Sequence, residues 1–167
     1  MTRPEATAEQ CDLSGRDQSG SASASGSGDV HSMFTVLFER SPDALWLLDP
    51  ETGRVVDCNP SALELLRAAG KEQLLGRTPS DLSPERQPDG RDSREKAAEV
   101  MRRSRQEGGA RFHWVMRRFD GTDVHVEVVS TTVPAGGRSL HLIISRDITE
   151  RHRAEQALRE SQQILSS

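Results

Sequence analysis

The sequence predicts an α+β domain: a five-stranded antiparallel sheet with flanking helices, entered through an N-terminal amphipathic helix and left through a C-terminal coiled-coil helix. Three observations predict it. The runs DALWLLD and RVVDCN bracket Pro50-Glu51-Thr52-Gly53, a strand–turn–strand signal. Three further runs of alternating apolar residues follow, joined by Asp120-Gly121 and by Ala135-Gly136-Gly137. Asp147-Ile148-Thr149-Glu150 then has the form of a capping box at the head of a charged helix.

The chain has 167 residues and divides by composition into a Gly/Ser-rich tail over 1–32, a sheet domain over 33–146 and an exit helix over 147–167. From Ser14 to Ser32 there is almost no large apolar residue, so burial cannot offset backbone ordering and a flexible tail is expected. Met33, Phe34, Val36, Leu37 and Phe38 mark a short amphipathic helix ending near Ser41-Pro42, where proline disfavours continuation.

After the hairpin, Asn59 is placed to cap a helix that has Pro60 in its first turn and Leu63, Leu65 and Leu66 at helical spacing. Lys71 to Arg91 carries three prolines and two glycines and is expected to be irregular, wrapping over a cavity. Asp92 begins a better helix that runs to about Gln106 and stops at Gly108-Gly109, with Ala97, Ala98, Val100 and Met101 on its apolar side.

Alternation puts Phe112, Trp114 and Met116 on one face of the third strand and Val124, Val126 and Val128 on one face of the fourth. The same reasoning gives Leu140, Leu142 and Ile144 for the fifth, which turns His113, His125 and His141 outward. Ile143 and Val129 fall on that outer side and imply that it too is partly covered. In the exit helix Ala154, Leu158, Ser161 and Leu165 recur at steps of four and three, the spacing of a two-stranded coiled coil.

Bulk properties exclude several functions. A net charge of −4 and a pI near 5.8 leave no basic stripe for nucleic acid and no polybasic run for a membrane surface. No apolar run approaches the roughly 20 residues that span a bilayer. The N-terminus lacks a secretory leader, and Cys11 and Cys58 form neither a disulfide framework nor a metal knuckle, so a cytoplasmic setting is expected. No nucleophile, base and orienting group converge by motif, and an enzyme is not expected.

Four segments resemble the PAS domain: SPDALWLLDPETGRVVDCNPSALELL from Ser41, SPERQPDGRDS from Ser83, FHWVMRRFDGTDVHVEV from Phe112 and RDITERHRAEQALRES from Arg146. The resemblance covers roughly Met33 to Leu165. It implies the PAS fold and a bacterial sensory module that relays a small-molecule, redox or protein signal through its exit helix. The implied effector is first a two-component histidine kinase, alternatively a diguanylate cyclase or serine phosphatase. A ligand-free dimerisation platform is the rival reading. Pairing of two copies through the N-terminal helix and the exit helix is expected in either case.

A ligand would lie between the sheet and the helices, lined by Trp46, Leu48, Leu63, Leu66, Met101, Phe112, Trp114 and Met116. The cofactor is unknown. The Asn-Cys-Arg-Phe-Leu-Gln motif of covalent flavin photochemistry is missing; Trp46 and Trp114 are placed to stack a non-covalent flavin, but core packing is the favoured role. Haem lacks a histidine on the long helix, and the strand histidines do not have metal-site spacing. Asp147, Thr149 and Glu150 are the expected relay residues.

Overall fold

The computed structural model describes residues 22–166, with side chains from Gly28 onward. The chain divides into two compact units, 1–35 and 36–167. The first is seen as the helical segment from Ala22, the beginning of α1 (Ala22–Arg40). Residues 22–32 are therefore helical where a flexible tail is expected; Ala22 and Ala24 are strong helix formers, and propagation of a helix is cheap once a turn exists. The rest of the expected tail lies outside the described residues.

The second unit holds β1 (Ala44–Leu48), β2 (Val55–Cys58), α2 (Pro60–Leu66), α3 (Ser93–Glu107), β3 (Gly109–Arg117), β4 (Asp123–Ala135), β5 (Arg138–Asp147) and α4 (Thr149–Leu165). The five strands form one antiparallel sheet in the order β2-β1-β5-β4-β3. The first hairpin turns through Asp49, whose carboxylate accepts from the amides of Glu51 (2.8 Å) and Thr52 (3.1 Å), while Gly53 takes φ 67. Asn59 caps α2 as expected, accepting from Ala62 N at 3.1 Å. The helix stops at Leu66, short of Gly70, because Arg67 enters the left-handed region at φ 54. Asp92 caps α3 by accepting from Arg94 N and Glu95 N, and Gly108 ends it at φ 79.

Register decides which residues form the core. Trp46 lies opposite Ile143, Leu48 opposite His141 and Ala44 opposite Ser145. Since Ala44, Trp46 and Leu48 are buried core residues, β5 turns His141, Ile143 and Ser145 inward. The expected assignment of Leu140, Leu142 and Ile144 to the core face is thus reversed, and His141 is fully buried rather than outward. The reason is position: β5 is the central strand, with apolar residues on both faces, so alternation alone does not choose between them. The faces assigned to β3 and β4 are as expected: Trp114, Met116, Val124, Val126 and Val128 are all buried.

The capping box at Asp147 forms only in half. β5 continues to Asp147, whose Oδ1 accepts from Thr149 N at 2.9 Å, but the residue that precedes α4 is Ile148, without a side-chain cap. No bond from Glu150 back to Asp147 is seen. The first turn of α4 is held instead to β4: Ile148 N donates to His125 O (2.9 Å) and His125 N donates to Thr149 Oγ1 (3.2 Å). Ala154, Leu158, Ser161 and Leu165 are all exposed along α4.

Candidate functional site: an apolar cavity under the long helix

The inner face of the sheet and α3 enclose a cavity of about 60 Å³. Trp46, Leu48, Met101, Phe112, Trp114 and Met116 line it. Leu63 and Leu66 do not. Leu66 is fully buried and Leu63 packs on the core, but α2 lies against β1, away from the cavity. Their places are taken by Pro79 and Leu82 from a 3-10 turn (Pro79–Leu82) and by Ala97 and Val100 of α3. Val55, Val128, Ile143 and Ser145 of the sheet complete the wall.

The two indoles differ. Trp114 Nε1 donates to Ser83 Oγ at 2.8 Å, its ring meets Phe112 edge-on at 6.0 Å, and Lys96 Nζ lies 5.8 Å from its centroid. Trp46 Nε1 is buried and has no hydrogen-bond partner among the described residues. An indole N–H is a donor only, so a buried one without an acceptor is costly.

The stretch over the cavity is anchored at Gln87. Its side-chain amide accepts from Val115 N (2.9 Å) and donates to Val115 O (3.1 Å) and Ser93 Oγ (2.9 Å), and Ser93 Oγ donates to Pro84 O (2.6 Å). β3 is an edge strand, and Gln87 stands where a sixth strand would pair. Nothing in the Pro- and Gly-rich composition of 71–91 singles this residue out; the signal appears only in the pairing.

Residues 42–150 match the family model described as a PAS domain. The chain belongs to the PAS domain family. Solved PAS domains share its fold. One, from an HTR-like protein of Haloarcula marismortui, is 24% identical, covers 74% of this chain and 96% of its own, and superposes with a TM-score of 0.58. A domain of the sensory box sensor histidine kinase/response regulator of Geobacter sulfurreducens is 22% identical over 71% and 94%, with a TM-score of 0.59. The PAS domain of a LuxR-family transcriptional regulator of Burkholderia thailandensis, solved in complex with ethanol, is 18% identical over 69% and 96%, with a TM-score of 0.55. No curated protein matches the chain.

Larger PAS cofactors do not fit this cavity as it stands. About 60 Å³ is well below the roughly 300–1,000 Å³ of pockets that hold drug-sized ligands, so a flavin or haem would have to displace α3 or the 3-10 turn. Cys58 is fully buried on β2, and burial pushes its thiol above the ordinary range. Among the described residues no group of three His, Cys, Asp or Glu side chains is placed to hold a metal, and no helix is long and apolar enough to cross a membrane.

The histidines separate into two settings. His113 is exposed and His125 half-buried on the outer face, where the His125 ring stacks on His152 of α4 at 4.0 Å between centroids. His141 is buried, and neither ring nitrogen has a hydrogen-bond partner among the described residues. Burial first, and Arg105 second, hold the His141 pKa below the usual 6.5. Burial and then His152 do the same for His125. Both imidazoles stay neutral in the fold at pH values where the unfolded chain already binds protons. Their contribution to stability is complete above about pH 6.5 and is lost as the pH falls through their lowered values. The carboxylates with lowered values, among them Asp49, Asp81 and Glu99, titrate in a more acidic window. The urea midpoint is therefore expected to be lower at about pH 5.5 than at about pH 7.5, with His141→Leu flattening the difference. A midpoint that is level or rising towards acid would contradict the burial of His141.

Proposed function

We propose that this PAS domain is a non-catalytic, cytoplasmic sensory module whose core signal passes through α4 to an effector, a histidine kinase first among the candidates. The observation that carries the reading is continuity. Ile143 and Ser145 line the cavity from the central strand, the same strand ends at Asp147, and α4 starts two residues later, held to β4 by Thr149. A change at the cavity wall thus has a short covalent path to the helix. The sensor kinase neighbour supports the choice of effector, and the neighbour bound to ethanol supports a core that admits a small molecule.

Asp147, Thr149 and Glu150 are the proposed relay. Asp147 also meets Arg118 at 3.5 Å, and Arg118 Nε donates to Leu65 O at 3.0 Å, tying the head of α4 to the end of α2. The test is a chimera in which α4 continues in helical register into a histidine kinase core. Ala97→Phe, which fills the cavity, is expected to change autophosphorylation, and Asp147→Ala to abolish that change while costing only about 1 kcal/mol of stability. Equal activity of the parent and Ala97→Phe chimeras would sink the relay.

A second reading, a dimerisation platform with an inert interior, is favoured by one observation. Leu158 and Leu165 are 60% and 83% exposed on the coiled-coil seam of α4. A monomeric chain at high concentration would exclude it.

A further inference from the structure

We propose that the stacked rings of His125 and His152 are a pH-sensitive latch at the head of α4: protonation of the pair parts the rings and releases α4 from the sheet. The domain then has a proton input apart from its core cavity. Only the consequence at an effector rests on the relay proposed above; the latch itself is a property of this chain.

The pattern of exposure comes first. Of the residues of α4, Thr149 and His152 alone are half-buried, and residues 153–165 are all exposed. The helix is therefore docked by its first turn. Ile148 N donates to His125 O at 2.9 Å, and Thr149 Oγ1 accepts from His125 N at 3.2 Å. The His152 ring lies on the His125 ring, with 4.0 Å between centroids and 19° between planes. His125 thus holds the helix by both of its backbone groups and by its ring.

The stack supplies the pH dependence. Two neutral imidazoles pack as flat rings, and the protons bind such a pair in two coupled steps. Two imidazolium charges about 4 Å apart repel by an amount worth about fivefold in an equilibrium constant even in bulk water, and by more where water is partly excluded. Burial and the neighbouring His152 already hold the His125 pKa below the usual 6.5. The docked state therefore binds fewer protons than the released one. Docking is complete above about pH 6.5 and is lost as the pH falls through the lowered value.

The surrounding carboxylates offset little of this, because each is engaged by a cation. Asp123, on the strand of His125, pairs with Arg117 at 2.9 Å, and Asp147 at the end of β5 meets Arg118 at 3.5 Å. Glu127 meets Arg111, His113 and Arg151 at 3.9, 4.0 and 3.6 Å, and Glu155, one turn on from His152, lies 3.8 Å from Arg151. Arg153 of α4 adds a further positive charge within reach of His125. Beside the pair lies a groove of about 210 Å³, lined also by His113, Asp89 and Lys96, the last two held together at 2.8 Å. That space admits several waters, so protons reach both rings without unfolding.

The test reads amide protection in the 167-residue chain at about pH 5 and about pH 7.5, corrected for the intrinsic exchange rate at each. Ile148 N–H reports the docking of α4, and Val128 N–H reports the interior of the sheet. Relative to Val128, the protection of Ile148 is expected to fall about five- to tenfold at the acid pH. His152→Phe keeps a ring that cannot be charged and should hold the ratio level within about twofold. His152→Gln should lower Ile148 protection at both pH values and also remove the pH dependence. His141→Leu should leave the fall in place, which separates local release of α4 from the acid sensitivity of the core.

A parent ratio that stays level between the two pH values would overturn the latch, as would an equal fall in His152→Phe. A fall that disappears in His141→Leu would assign the acid response to the core and overturn it too. Kinase chimeras of the parent and of His152→Phe with identical pH profiles, beside the expected fall in Ile148 protection, would leave the latch standing and overturn the relay.

Discussion

Asn59→Ala is expected to cost about 3–5 kcal/mol, the largest loss from any single polar side chain here. Asn59 is fully buried and uses all of its hydrogen-bonding capacity along three elements. Its Oδ1 accepts from Leu45 N at 2.9 Å and Ala62 N at 3.1 Å, and its Nδ2 donates to Phe38 O and Asp43 O, both at 3.0 Å. One amide thereby ties the end of α1 to the entry of β1 and the first turn of α2. Alanine removes all four bonds in a space that water does not reach; Ala62 N keeps its bond to Asn59 O at 3.1 Å, so the loss falls hardest on Leu45 N and Asp43 O. Each such group costs about 1–3 kcal/mol, partly relieved by relaxation.

Asn59→Asp separates the roles. It keeps the acceptor but turns a carboxylate oxygen towards two carbonyls, so it should be nearly as damaging at neutral pH and partly rescued below about pH 4, where a protonated oxygen can donate. Urea denaturation at both pH values checks the pair. A loss for Asn59→Ala below about 1 kcal/mol would mean that the cap is the only bond of consequence.

Asn59 also shows how far sequence reaches. Asn before Pro at the head of an apolar run is legible as a helix cap, because the partner amide is three residues away. The other bonds are not, since their partners lie up to 21 residues distant and are brought close only by the finished sheet. β3 and β4 were readable for a related reason: each has a mostly polar outer row, Arg111, His113 and Arg117 on β3 and His125, Glu127 and Thr131 on β4, so period-two alternation favours one solution. β5 reads Leu-His-Leu-Ile-Ile and has two solutions, and the pairing of Ile143 with both Trp46 and Ser130 selects the one that buries His141. In the same way the wall of the cavity contributed by β1, β3 and α3 follows from patterning, whereas Pro79 and Leu82 sit in a stretch whose path no periodicity describes. Asp147 to Glu150 carries a capping pattern that sheet pairing overrides, since Asp147 is still opposite Val126 in the ladder.

Gln87→Leu is the second large effect, with an expected cost of about 2–3 kcal/mol. Leucine fills much the same volume but leaves Val115 N–H and C=O on the edge of the sheet without their partner, and frees Ser93 Oγ from one of its bonds. The consequence should be local before it is global. The amide of Val115, protected by Gln87 in the parent, is expected to exchange with solvent about 30- to 100-fold faster, whereas Val126 and Val128 in the interior of the sheet keep their protection until global unfolding. Since Trp114 and Met116 flank Val115 and both line the cavity, a β3 edge released in this way loosens one wall of the candidate sensory site. An unpaired edge is also a template for another chain, so Gln87→Leu should aggregate more readily on concentration. Gln87→Glu keeps the acceptor for Val115 N but loses both donated bonds, so it should restore part of the protection and little of the stability. If Val115 remains as protected in Gln87→Leu as in the parent, the edge is closed by some other group and the 84–92 stretch is not the clasp that its hydrogen bonds describe.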